Sequence, residues 1–137
     1  MPAGYSLDTS VCVALLRLPE GRIPNQLEQI GARAINISSI VLGELEVGAR
    51  KSRRPEWHTG LVEAFLELVP VVDFDRAAAR HYGEIRAHLE RRGTPIGPLD
   101  QLIAAHARSL DRTLLTMNLR EFRRVPGLTC HAWTRVQ

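Results

Sequence analysis

The chain has 137 residues, 45% of them hydrophobic and 24% charged. These are the proportions of an ordinary globular domain, long enough to bury about two-thirds of its unfolded surface. No stretch approaches the ~20 continuous apolar residues of a membrane span. The start also lacks the basic-then-apolar pattern of a secretion signal, so a cytoplasmic protein is expected. The net charge of +3 rests almost entirely on arginine, with Lys51 the single lysine. Basic residues gather in ARKSRRPEWH (Arg50, Lys51, Arg53, Arg54), at Arg91-Arg92 and in NLREFRRV (Arg120, Arg123, Arg124). Guanidinium forks match phosphate geometry, which fits a polyanionic partner, although any one cluster also reads as a solvated face. Cys12 and Cys130 lie on apolar stretches without ligand-like neighbours, the pattern of two buried free thiols.

Short apolar runs alternate with helical patterns, without repeats or a dividing linker, so one domain over 1–137 is expected. Residues 5–8 read as a buried strand and 10–17 as a helix. LPEGRIP is a loop, 25–30 a short helix, and RAINIS a second strand with β-branched character. SSIVLGELEVGAR opens on serine caps and runs as a helix to about Arg50. Pro55 restarts a helix at its first turn, with Leu61, Phe65 and Leu68 on one face. PVVDF is a third strand, after which Asp75 caps a long helix carrying Ala78, Tyr82, Ile85 and Leu89 at helical spacing. Gly93 ends it, and GTPIGP is a loop. Pro98 opens a helix with Leu99, Ile103, His106 and Leu110 along one side. RTLLTM is a fourth strand, NLREF a short helix or turn, and LTCHAW a fifth strand. This alternation predicts an α/β fold with parallel pairing and helices on both faces of one sheet. Ligands of such folds bind beyond the carboxyl ends of the strands, where the strand order switches.

Acidic residues fall where that edge would be. Asp8 stands at the end of the first strand, and Glu44 about two turns into the helix after the second. Asp100 lies in the first turn of the helix opened by Pro98, and Asn118 and Glu121 follow the fourth strand. Asp100 interrupts the mostly apolar IGPLDQLIAAHA, and Glu44 has no basic partner in its own segment before Arg50. Carboxylates gathered in a partly buried pocket repel, so one must take up a proton or a cation must join them. An all-oxygen donor set suits Mg²⁺ or Mn²⁺, and Mg²⁺ takes only one or two carboxylates directly. Asp8 is the first choice for direct ligation and Asp100 the next, with Glu44 binding directly or through water. The histidines are scattered, which argues against zinc, and His106 on its apolar helix reads as a structural residue. Helix capping accounts equally for Asp8, and a favourable helix dipole for Asp100. Neither accounts for Glu44. On residues alone, capping and metal binding both stay open.

Four segments in order, SLDTSVCVALLR, ISSIVLGELEVGA, IGPLDQLIAAHARSL and LLTMNLREFRRVPGL, resemble the PIN-domain nucleases. Within these, the chain is similar to the VapC-type toxins of bacterial toxin–antitoxin pairs. The resemblance spans nearly the whole chain. It implies a three-layer α/β/α fold with a five-stranded parallel sheet. It further implies a metal-dependent endoribonuclease that uses Mg²⁺, or Mn²⁺ in its place. Asp8, Glu44 and Asp100 would form the catalytic site, with Asp8 and Asp100 as metal ligands. Thr9 and Thr116 match polar positions bordering the pocket. The family's fourth acid often lies two residues past the threonine of LLT, where this chain has Asn118; Glu121 is the nearby carboxylate. The implied partners are an RNA substrate, a cognate antitoxin and a second copy of the chain. The helix around 63–68 and the WHTGLVEAF face could supply apolar contact between copies, or serve equally as core within one copy.

Two other readings follow from the same residues. The Asn118 departure fits a catalytically weakened module that works mainly in nucleic-acid or antitoxin binding. An unrelated phosphoryl-transfer domain would need a second acid two residues beyond Asp8, and Ser10 occupies that position.

Overall fold

The computed structural model describes residues 4–19, 22–30 and 34–133. The chain opens with β1 (Tyr5–Leu7), α1 (Thr9–Leu16), α2 (Ile23–Ile30) and β2 (Ile35–Ser38). It continues with α3 (Ser39–Lys51), α4 (Pro55–Leu68), β3 (Val71–Val72), α5 (Arg76–Arg92) and α6 (Pro98–Ser109). It closes with β4 (Thr113–Thr116), α7 (Leu119–Phe122) and β5 (Cys130–Ala132). The predicted loop over 18–24 and the strand over 33–38 each include positions outside the described residues.

Local chemistry sets where these helices begin. The Asp8 side chain accepts the Val11 N–H at 3.0 Å, Ser38 accepts the Val41 N–H at 3.1 Å, and Asp75 accepts the Ala78 N–H at 3.0 Å. Each is a short polar residue satisfying a donor that the first helical turn leaves free. Pro55 and Pro98 occupy first-turn positions of α4 and α6, where a missing N–H costs nothing. Gly93 closes α5 in the left-handed conformation, φ 67°.

The five strands are parallel, in the order β3-β2-β1-β4-β5. Right-handed crossovers therefore carry α1 to α4 over one face and α5 to α7 over the other. Helix α1 packs on β4 and α3 on β2 from one side; α6 covers β2 and β4 from the other and packs closely on α5. Leu7, Ile37, Leu114, Val11, Leu15, Val41, Phe65, Ile85, Leu89 and Phe122 form part of the buried core. Among the described residues, no helix is long and apolar enough to cross a membrane. The chain runs from β1 to β2 and β3 in one direction and later adds β4 and β5 on the other side of β1. The switch in strand order thus lies between β1 and β4.

The structure corrects four expectations. The third strand is two residues long instead of five, because the Phe74 N–H leaves the ladder for Ser39 Oγ at 3.0 Å. Leu99, in the first turn of α6, is 46% exposed, and Ile103 one turn on takes the inward face. Leu68 is 47% exposed at the end of α4, and Val62 and Phe65 take the inward face. Cys12 and Cys130 are free thiols, but Cys130 on the last strand is only half-buried.

Candidate active site

Register places the first acid. Leu7 of β1 pairs with Leu115 of β4, and the Asp8 N–H donates to the Leu115 carbonyl at 3.1 Å. Asp8 and Thr116 therefore stand side by side at the switch point. Asp8 is 3% exposed, and donors surround its carboxylate. Oδ1 accepts the Val11 N–H and the Ser10 hydroxyl, the latter at 2.6 Å, while Oδ2 accepts the Thr116 hydroxyl. These bonds replace hydration that burial removes.

Both hydroxyls pass the contact on to the chain after β4. Ser10 Oγ accepts the Met117 N–H at 3.1 Å, and Thr116 Oγ1 accepts the Asn118 N–H at 2.8 Å. The turn into α1 and the turn into α7 are thus joined through Asp8. Asp8 is also the cap of α1, so the capping and site readings of this residue describe one geometry. Burial pushes the neighbouring Cys12 thiol up, and the Asp8 charge pushes it further.

Glu44 projects from α3 toward the same edge. Its Oε1 accepts the Thr9 hydroxyl at 2.6 Å, so Thr9 orients an acid and leaves the capping to Asp8. Asp100, half-buried in the first turn of α6, meets Glu121 of α7 in side-chain hydrogen-bonding contact. Its carboxyl is pushed up to about 6, first by burial and then by the charges of Glu121, Asp8 and Glu44. The other three acids therefore all lie within electrostatic reach of Asp100. Among the described residues, none of the four pairs with Lys, Arg or His.

Asn118 does not join them through a side-chain cap. It starts α7 and is exposed, and only its backbone N–H makes a bond into the network. Glu121, one turn on, is the acid that reaches Asp100. His106 is fully buried, stacked on Phe74, with Nε2 3.2 Å from the Asp73 carbonyl. Burial pushes its ring toward the neutral form. It is a structural residue away from the acids.

Residues 5–128 match the PIN-domain profile. The chain belongs to the PIN-domain family. This PIN domain is 41% identical over 130 residues to the tRNA(fMet)-specific endonuclease VapC of Shigella flexneri, covering 95% of this chain and 98% of that one. It is 43% identical over 129 residues to the protein of the same name from Salmonella typhimurium, covering 94% and 97%. Its fold superposes on the DNA-bound VapBC structure from Salmonella typhimurium with a TM-score of 0.87 at 42% identity, covering 96% and 98%. The five-stranded all-parallel architecture expected from the sequence is therefore the observed one.

The donor set of this PIN domain is carboxylate oxygen with hydroxyls behind it, the chemistry of a hard divalent cation. Among the described residues, no three His, Cys, Asp or Glu side chains form a ready-made cage. Mg²⁺ does not require one, since it keeps most of its waters and takes one or two carboxylates. The raised carboxyl of Asp100 supports the fit: burial raises it first, and a cation would offset the repulsion from Glu121, Asp8 and Glu44 that raises it further.

Ser10 is the site residue that sequence reading missed. Its visible signal was the DTS triplet, in which the third residue of a cap can bond back to the first. What no local pattern could reveal was the second bond, to a backbone N–H 107 positions along the chain.

Proposed function

We propose that this PIN domain is the ribonuclease toxin of a toxin–antitoxin pair, hydrolysing RNA phosphodiester bonds with Mg²⁺. The single observation that carries the mechanism is the gathering of Asp8, Glu44, Asp100 and Glu121 at the strand-order switch without a basic partner. The two relatives are named tRNA(fMet)-specific endonuclease VapC, and the matched Salmonella structure is a VapBC complex, which supports an RNA substrate and a cognate antitoxin here.

Asp8 and Asp100 would hold the ion, with Glu121 completing the acidic set beside Asp100. When bound, a divalent ion polarises the phosphodiester and makes water more acidic. Asp8 enters the reaction already oriented, because Ser10, Thr116 and the Val11 N–H fix its oxygens. Glu44, steered by the Thr9 hydroxyl, would accept a proton from the attacking water at the oxygen that Thr9 does not occupy. The leaving sugar oxygen would take its proton from solvent. Asn118, being uncharged and exposed, is assigned no part in holding the ion.

Incubating the protein with transfer RNA and with total RNA, in Mg²⁺ and in EDTA, tests this reading. Cleavage in Mg²⁺ that stops in EDTA, and that Asp8→Asn abolishes while the fold persists, is the expected result. Undiminished cleavage by Asp8→Asn would overturn it.

A further inference from the structure

The corner between α3 and α4 presents a basic surface that the carboxylate site does not use. Lys51 ends α3, Arg53 and Arg54 follow in the connection, and all three are exposed. Among the described residues, Arg50 pairs with Glu46, but Lys51, Arg53 and Arg54 have no carboxylate partner. Trp57, in the first turn of α4, is 50% exposed, and the Arg54 guanidinium lies 4.7 Å from the centre of its ring. Isolated arginines are common on solvated surfaces. Uncompensated cations beside a half-open indole offer two distinct interactions at one place, phosphate pairing and stacking on a π-face.

The corner also adjoins a groove that reaches one of the acids, Glu44. A groove of about 250 Å³ runs between α1, α3 and α4, with Glu44 at one end and Ser52 and His58 at the other. His58 follows Trp57 directly, and the two ring centres lie 4.9 Å apart in an edge-to-face arrangement. Glu44 and Ser52 are eight residues apart, which at the rise of a helix is roughly 12 Å along α3. A strand bound across the carboxylates therefore reaches Trp57 within a few nucleotides.

We infer that Lys51, Arg53, Arg54 and Trp57 form an accessory contact for single-stranded RNA, in which the cations hold flanking phosphates and one base stacks on the indole. The inference rests on the RNA-cleaving reading above and adds the place where substrate is gripped away from the reaction centre. Charge favours RNA over a protein segment as occupant, because three unpaired cations at one corner match consecutive phosphates. The scarcity of aromatic residues makes Trp57 a single anchor and leaves the rest of the strand to phosphate recognition.

The test uses the full chain in EDTA, so that RNA binds uncut. A single-stranded oligouridylate and the same backbone without bases are titrated against tryptophan fluorescence over a range of salt. The chain has two tryptophans, and Trp133 is 8% exposed, so Trp57 dominates any quenching. Expected are quenching by the oligouridylate, none by the abasic strand, and no quenching in Trp57→Phe. Replacing Arg53 and Arg54 with alanine should weaken binding about tenfold and reduce the log–log salt slope by about 1.4. With Mg²⁺ present, the same pair of substitutions should raise KM and leave kcat unchanged. Unchanged affinity, slope and KM in the arginine variant would overturn the accessory contact. So would quenching produced by a cognate protein partner and not by RNA. Neither result touches the catalytic reading, which fails separately if the wild-type protein leaves RNA intact in Mg²⁺.

Discussion

Thr116 donates its hydroxyl proton to Oδ2 of Asp8 across 108 residues of sequence, and the hydroxyl oxygen of Thr116 in turn accepts the Asn118 N–H. One hydroxyl thus joins the first strand to the fourth and fixes a carboxylate at the point where their order switches. Replacing Thr116 with valine keeps the shape and removes both bonds. A bond to a buried charged group contributes about 1.5–3 kcal/mol, so Thr116→Val should lower the unfolding free energy by that much, read as a lower urea midpoint with an unchanged m-value. An unchanged midpoint would show that Asp8 does not depend on this donor.

Ser10 makes the parallel connection, from Oδ1 of Asp8 to the Met117 N–H. Met117 is exposed, so water can satisfy its N–H when the hydroxyl is lost. Ser10→Ala should therefore cost less stability than Thr116→Val, about 1 kcal/mol. Metal affinity should fall about tenfold, because the ligand is no longer aimed. Ser10→Thr should restore the affinity. A variant that loses stability but binds Mn²⁺ as tightly as wild type would reduce Ser10 to a structural tie.

Asp100 gives the pH dependence. In the metal-free protein its carboxyl is raised from 3.8 to about 6, by burial first and by Glu121, Asp8 and Glu44 after it. A raised acid favours the folded state in full below its unfolded value, and that contribution is lost as pH rises through the folded one. The metal-free melting temperature should accordingly drift down between about pH 4 and pH 6, modestly because the group is half-exposed. Divalent metal needs the ionised carboxylate, so its stabilising effect should grow across the same window. Thermal scans with and without Mg²⁺ that stay parallel from pH 4 to 7 would contradict this.

Glu121 and Asn118 separate the two candidates for the fourth position. Glu121 contacts Asp100, whereas the Asn118 side chain caps nothing and is exposed. Glu121→Gln should weaken Mn²⁺ binding about tenfold in calorimetry, and Asn118→Ala should leave it unchanged within error. Asn118→Asp adds a charge at the same turn, and a gain in affinity would show that the position can reach the ion. Equal losses in Glu121→Gln and Asn118→Ala would reverse the assignment.

Much of this arrangement was legible because helix starts and strand ends are written locally. The caps at Asp8, Ser38 and Asp75 and the prolines at 55 and 98 each act within a few residues, and the structure has a helix at every one. The strand–helix alternation then implied parallel pairing, and with it an edge where Asp8, Glu44 and Asp100 would meet. Legibility ended where packing decided the outcome. Helical spacing gave Leu68 and Leu99 the same standing as Phe65 and Ile103, but the first two sit at helix ends and are about half-exposed. The third strand is shorter than its apolar run suggests, because nothing in PVVDF shows that Ser39 captures the Phe74 N–H. The choice of Glu121 over Asn118 required knowing which way a four-residue helix turns, and no periodicity reports that over so short a span.

The central claim is that the carboxylates at the β1–β4 switch form one cation site, with Asp100 among its ligands. Mn²⁺ binding by isothermal titration calorimetry, at about pH 7.5 and without RNA, tests it most directly in the wild-type protein and Asp100→Asn. The account predicts binding in the wild type and a loss of at least about tenfold in the variant. The circular dichroism spectrum should be unchanged, and the metal-free protein should melt higher, because a repelled charge has been removed. Equal Mn²⁺ affinity in the two proteins, or a folded wild type that binds no divalent ion, would contradict it.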